Sequence, residues 1–322
     1  MTTGDARTPR PYDAAVSTAT SSNSGLIRAP QGMRAAQLMI AISAVLYGTQ
    51  GIFAALAYDH GASVGVLLAV RAGLFCVLAL FLFNRRRRDT LRGHRRSVVI
   101  ACITSVLGPL LYFAAVARMD PATVTLILFI YPALTVIGAR LLGRIHLTAS
   151  SVVVTVVTLI GVALAIGGPV GGVDPIGVAL TLAFAVVVST YFLVAEEGLE
   201  GADPLAWLGI TVLAAAVFFV PFGPLIAGYS LPDLTGWLAL LGVALIASIA
   251  ACLFQTMGLM RLGSAATSLV ATLEIATVVA LSYLVLGERP GLITIVGAVL
   301  IIIGAATAPL TMRRRTAIPS TI

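Results

Sequence analysis

The sequence predicts an all-α integral membrane protein, with ten transmembrane helices arranged as two inverted five-helix repeats. Three observations carry that prediction. Hydrophobic residues make up 59% of the 322 residues and charged ones only 10%, against roughly 25% in soluble proteins. Mean hydropathy is +1.05, so the few charges on 33.2 kDa cannot supply a polar shell. Apolar runs then follow one another almost without pause, each near the roughly 20 residues that a bilayer requires. Finally, the second half repeats the spacing of the first.

Each element can be justified in order. Residues 1–37 form the expected N-terminal tail, rich in Thr, Ser, Ala, Pro and Gly and without an apolar run, a composition that does not fold. The first run, 38–57, is too long for a signal-peptide core and is a retained span. The second, 64–83, is closed by Arg85-Arg86-Arg87-Arg88. The third and fourth are 97–116 and 121–139, and the fifth, 147–167, ends at Gly167-Gly168. The second half continues at 175–195, 204–227, 234–258, 263–286 and 290–310, with a short tail at 311–322. Runs four, six, seven and ten open at Pro121, Pro175, Pro204 and Pro290, where a first helical turn needs no N–H from proline. Pro109, Pro132 and Pro221 lie inside runs and predict kinks. Runs of this length without strict alternation exclude a barrel. The links are too short to hold a soluble domain.

Arginine sets the orientation. All 20 basic residues are arginine. With the N-terminus inside, 17 of the 20 fall on the cytoplasmic side: the N-tail, 85–96, Arg140, Arg144, Arg261 and Arg313 to Arg315. Arg118 and Arg289 fall outside and Arg71 within a run. Positive residues hold loops in the cytoplasm, so both tails are expected there, in a multi-pass protein of the cell membrane. A pI of 9.8 also suits nucleic-acid binding, but arginines scattered between apolar runs form no binding face, and none is expected. Membrane lipids are the natural partners of the Arg85 to Arg88 cluster.

Cys76, Cys102 and Cys252 have neither CxxC spacing nor an even number, which suggests packing roles and no disulfide framework or zinc site. His60, His94 and His146 lack ligand spacing, and no phosphate loop or nucleophile motif is present. No metal, cofactor or catalytic residue is expected.

The repeat is the most informative pattern. Arg118-Met119-Asp120-Pro121, Tyr131-Pro132, Gly143-Arg144 and Gly161 in the first half align with Arg261-Leu262-Gly263-Ser264, Glu274-Ile275, Gly287-Glu288 and Gly304 in the second. The offset is 143, slipping by one at the Gly-Arg/Gly-Glu pair. Five runs per copy is an odd number, so the second copy must be inverted, an architecture of transporters.

Tyr47-Gly48, Arg71, Tyr131-Pro132 and Leu286-Gly287-Glu288-Arg289 followed by Gly297 and Gly304 together resemble the EamA-type permeases of the drug/metabolite transporter superfamily. The resemblance covers residues 38–167 and 175–310 as two EamA-like repeats. It implies a central cavity lined by helices 1, 3, 4, 6, 8 and 9, with helices 5 and 10 peripheral, and export of small polar metabolites, often amino acids, or uptake of similar solutes. The sequence departs from the family in places. Ala54 and Ala55 stand near the family's late helix-1 lysine, Arg144 where the first repeat usually has Glu, and Glu274-Ile275 where the second usually has Glu-Pro.

Candidate site residues follow from cost. Glu274 lies 11 residues into its run, near the bilayer midplane, where a carboxylate costs roughly 2.5–3.5 kcal/mol. It is either a substrate-amine ligand or proton-coupling site, or a bond locking two helices together. Arg71 can hold a substrate carboxylate, pair with Glu274 or cap freed carbonyls. Tyr47, Gln50, Tyr112, Tyr131, Tyr191 and Gln255 complete the expected cavity set, with Thr49, Thr125 and Thr190 as further polar positions. Asp120 reads as a helix cap. The expected function is secondary transport of a small polar solute by alternating access, with protons as the candidate coupling ion and a homodimer left open. Drug or organic-cation efflux is the near rival. An intramembrane enzyme on a lipid-linked substrate is the distant one, because it needs a second deep acid or a His beside Glu274.

Overall fold

The computed structural model describes residues 31–82, 91–119, 121–146, 148–165, 174–286 and 291–311. Most of both tails, Arg85 to Arg88, Asp120, the Gly167-Gly168 turn and Gly287 to Pro290 lie outside the described residues.

Among the described residues there is no β-strand. The helices are α1 (Gln31–Gly48), α2 (Gln50–Asp59), α3 (Val64–Leu82), α4 (Arg95–Val116), α5 (Pro121–Leu128), α6 (Tyr131–Leu141) and α7 (Ala149–Ala165) in the first half. The second half has α8 (Pro175–Gly198), α9 (Pro204–Ala227), α10 (Leu234–Leu241), α11 (Ala251–Leu262), α12 (Ser264–Val270), α13 (Leu273–Leu286) and α14 (Leu292–Thr311). A 3₁₀ turn precedes α4, and a π-helical segment, Gly242–Ala250, joins α10 to α11. Among the described residues, five helical stretches are long and apolar enough to cross a membrane: Gly32–Asp59, Arg92–Val116, Pro175–Gly198, Pro204–Ala227 and Leu234–Leu262. The protein is a multi-pass membrane protein. The first helix begins at Gln31, ahead of residue 38 where the apolar run starts, and the Gln37 side chain donates to Ala305 O and Ala306 O at 3.1 and 3.2 Å.

Three of the expected spans are interrupted, each for a local reason. The first breaks at Thr49, whose N–H and hydroxyl both bond Leu46 O. The fourth breaks at Phe129–Ile130, because Pro132 has no N–H for the Leu128 carbonyl one turn back. The ninth breaks at Ala271–Thr272, where Thr272 and Glu274 take tight i→i−3 bonds and the Thr272 hydroxyl returns to Leu269 O at 2.6 Å. Hydroxyl back-bonding of this kind bends helices. The breaks in spans four and nine fall at nearly the same place in the two repeats, 142 residues apart and so one residue short of the repeat offset.

Packing follows the repeat as well. Here α1 packs on α11 and α4 on α8, while α3 packs on α9, α7 on α14 and α6 on α12. Exchanging the two halves maps the first four of these pairs onto themselves, α1–α11 becoming α4–α8. Small residues let the backbones approach, as membrane interfaces require. A Cβ on Gly65 would run into the carbonyls of Gly228 and Gly223, and one on Gly304 into the Thr158 hydroxyl. Gly161, the repeat partner of Gly304, faces the Gly297 carbonyl and the Ile301 N–H in the same α7–α14 contact.

Candidate functional site

A cavity of about 190 Å³ lies inside the bundle. That is below the roughly 300–1,000 Å³ of pockets for drug-sized ligands, and it suits a small solute. Helical spacing explains how each element reaches it. The helix α4 presents Thr104, Ser105, Gly108 and Tyr112 on one face, and α8 presents Phe184, Val188, Tyr191 and Phe192. Arg71 and Phe75 stand one turn apart on α3, and Leu208, Thr211 and Ala215 line α9. The interrupted spans supply the rest: Tyr47 and Gln50 flank the break at Thr49, Tyr131 begins α6, and Glu274 stands in the first turn of α13. Cys252 and Gln255 come from α11.

All eight expected site residues, Tyr47, Gln50, Arg71, Tyr112, Tyr131, Tyr191, Gln255 and Glu274, therefore border one space. Three expectations are corrected. Helices from the second and seventh runs, α3 and α9, line the cavity too, although the family resemblance leaves them out. Glu274 does not sit mid-helix but just after a break, where the start of a helix favours a negative charge. Thr49, Thr125 and Thr190 do not line the cavity; their hydroxyls return to Leu46 O, Pro121 O and Val186 O.

The polar lining falls into two groups that no hydrogen bond or ion pair joins among the described residues. In one, Arg71 is buried, and its Nε donates to Ser248 Oγ at 2.7 Å with the guanidinium carbon 4.8 Å from the Phe75 ring centre. Beside it, Tyr47 Oη lies 3.0 Å from Cys252 Sγ and donates to Gln255 Oε1 at 3.5 Å. In the other, Glu274 shares the cavity wall with Tyr112 and Tyr131. Tyr112 packs against Phe184, and Tyr131 stacks on Phe192 at 5.8 Å. Among the described residues no hydrogen bond or ion pair reaches the Glu274 carboxylate, and none joins it to Arg71. Gln50 Oε1 is a buried acceptor without a partner among the described residues.

Several groups at or behind the cavity wall were not legible beforehand. Ser248 and Cys252 lie in apolar runs like any small packing residue. Ser105 and Thr211 line the wall, but their hydroxyls donate to backbone carbonyls, Ser105 to Thr211 O at 2.9 Å among them. Among the described residues no group of three His, Cys, Asp or Glu side chains comes together.

Polar contacts close the bundle at both ends. At one end Ser63 Oγ donates to Gly228 O at 2.8 Å and His60 Nδ1 lies 2.8 Å from Asp233 Oδ2. The Gly236 N–H and His60 hold the Asp233 carboxyl below its ordinary range. Nearby, desolvation works upward on Asp174, but Arg118 at 3.1 Å and the N–H groups of Gly177 and Ile176 outweigh it and hold the carboxyl low. At the other end Glu196 is buried and accepts from Ser264 Oγ at 2.5 Å. Arg144 reaches Glu196 at 3.5 Å and Glu197 at 2.9 Å. Each end thus joins the first half of the chain to the second.

Two interrupted spans at equivalent places in a repeated chain, meeting at an internal cavity, are the mark of a membrane transporter. The EamA-like transporter family matches residues 34–167 and again 175–308. The chain belongs to the EamA-like transporter family. This EamA-like chain also shares its fold with a crystal structure described only as that of a protein. The two are 19% identical, with a TM-score of 0.73, over 86% of this chain and 97% of the other. No curated protein matches the sequence.

Proposed function

We propose that this EamA-like protein is a secondary transporter, not an enzyme, that moves a small zwitterionic metabolite of amino-acid size across the cell membrane by alternating access. One observation carries the reading: a single small cavity bears a buried cation, Arg71, and an acid, Glu274, that do not pair with each other. An unpaired charge within a membrane is costly, and a solute with a carboxylate and an ammonium relieves both charges at once. Gln50 Oε1 offers the ammonium a further acceptor.

The working arrangement is ten spans in two inverted repeats, with both termini cytoplasmic and transport outward. In alternation, the His60–Asp233 and Arg118–Asp174 contacts open when the solute faces one side, and the Arg144–Glu196–Ser264 contacts open when it faces the other. Glu274 takes a proton when the ammonium leaves, which couples export to the proton gradient.

Counterflow in proteoliposomes tests this, with a panel of amino acids and organic cations at two pH values. Exchange of amino acids, with a pH-dependent rate, is the expected result. The aromatic rings around Glu274 favour a second reading, efflux of organic cations, since rings attract cations. Exchange of cations that lack a carboxylate, with none of amino acids, would select it.

A further inference from the structure

The Arg71 guanidinium is held in a way that leaves only one of its edges open. An arginine can grip a carboxylate with its side edge, which includes Nε, or with its end edge, the two Nη groups. Here Nε is already engaged, donating to Ser248 Oγ at 2.7 Å, and Ser248 is fully buried. The Phe75 ring lies over one face of the plane at 4.8 Å. Among the described residues, nothing accepts from Nη1 or Nη2, although Arg71 is only 8% exposed and borders the cavity. Ser248 belongs to the π-helical segment Gly242–Ala250. Such segments wind with i→i+5 bonds and recur at functional sites, and the wider turn resets which face each residue occupies.

We infer that Ser248 is a positioning residue: it pins Arg71 through Nε so that the Nη edge receives a solute carboxylate end-on. This rests on the zwitterion reading above and adds to it a direction, with the carboxylate toward α3 and the π segment and the ammonium toward Glu274. The guanidinium keeps its plane because Ser248 and Phe75 constrain it in two directions. A carboxylate then meets two parallel N–H donors without first ordering the side chain. Removing the Ser248 hydroxyl leaves the charge in place but frees the side chain to rotate.

The test is binding to the purified full-length protein, measured calorimetrically with L-leucine, L-threonine and L-methionine and with the decarboxylated amine and methyl ester of each. The wild type is expected to bind at least one acid more tightly than its amine and ester. Ser248→Ala should weaken that acid by about tenfold, as for one charge-assisted bond, while the amine and ester stay unchanged. Ser248→Thr, which keeps the hydroxyl, should restore acid binding. Equal weakening of acid, amine and ester would mark a merely structural residue and overturn the inference. So would unchanged acid binding in Ser248→Ala. Wild-type protein that binds amine and ester as tightly as the acid overturns the carboxylate slot but leaves a cation carrier. Wild-type protein that binds none of the acids overturns the zwitterion reading itself. If Ser248→Ala does not fold, Arg71→Lys serves, since it keeps the charge and loses the fork. It should show the same selective loss, and uniform loss would again overturn the inference.

Discussion

Replacing Glu274 by Gln separates the roles open to a cavity carboxylate. In the structure this side chain accepts no hydrogen bond among the described residues and makes no ion pair with Arg71. The substitution therefore breaks no internal bond, and it removes a carboxylate whose place in a membrane costs roughly 2.5–3.5 kcal/mol. Stability should hold or rise. Function should fall, because a charge-assisted contact to an ammonium is worth about 1.5–3 kcal/mol, which is roughly 10- to 150-fold in affinity. Three readouts on one preparation decide the matter: the melting temperature in detergent, net transport, and solute exchange in proteoliposomes. If Glu274 binds the amine, net transport and exchange fall together. If it only couples protons, net transport collapses while exchange persists, since exchange needs no net proton movement. A well-folded Glu274→Gln protein with wild-type rates of both would refute the reasoning.

Three further outcomes are expected. Arg144→Gln should lower stability by about 2 kcal/mol, between an exposed pair and a fully buried one, because Glu196 keeps only part of its satisfaction. Adding Glu196→Gln should recover most of that loss in unfolding titrations, and simple additivity would show that the two side chains are uncoupled. Gly304→Ala should cost about 1–3 kcal/mol by overpacking. Thr158→Ala should relieve it in part, whereas Gly161→Ala meets the Gly297 backbone carbonyl and should resist rescue in the same unfolding assay. For orientation, a single cysteine placed at position 90 should resist an impermeant thiol reagent in intact cells, and labelling there would reverse the assigned topology.

Hydropathy alone made the all-helical membrane class legible, because a chain that is 59% hydrophobic has no soluble alternative. Helix starts were legible where proline announces them, as at Pro175 and Pro204, and the structure adds the caps Asp174 and Asp203, whose side chains accept from first-turn N–H groups. The candidate polar residues stood out for a similar reason: Glu274 and Arg71 are costly in an apolar run, so few such residues survive there. The breaks were less legible. Pro132 signals one, but its partner at Ala271–Thr272 has no proline and comes from threonine hydroxyls bonding back along the chain. What no reading of the sequence could decide is the rotation of each helix about its axis. In a soluble helix a polar face marks the outside, but in a membrane both lipid and protein interior are apolar, and that mark is lost. Only tertiary packing turns α3 and α9 toward the cavity, separates Arg71 from Glu274 and brings Ser248 against Arg71 from 177 positions away. It also buries Glu196 between Arg144 and Ser264. These contacts depend on close approach between small residues on distant segments, and the sequence carries no periodic trace of which segments those are.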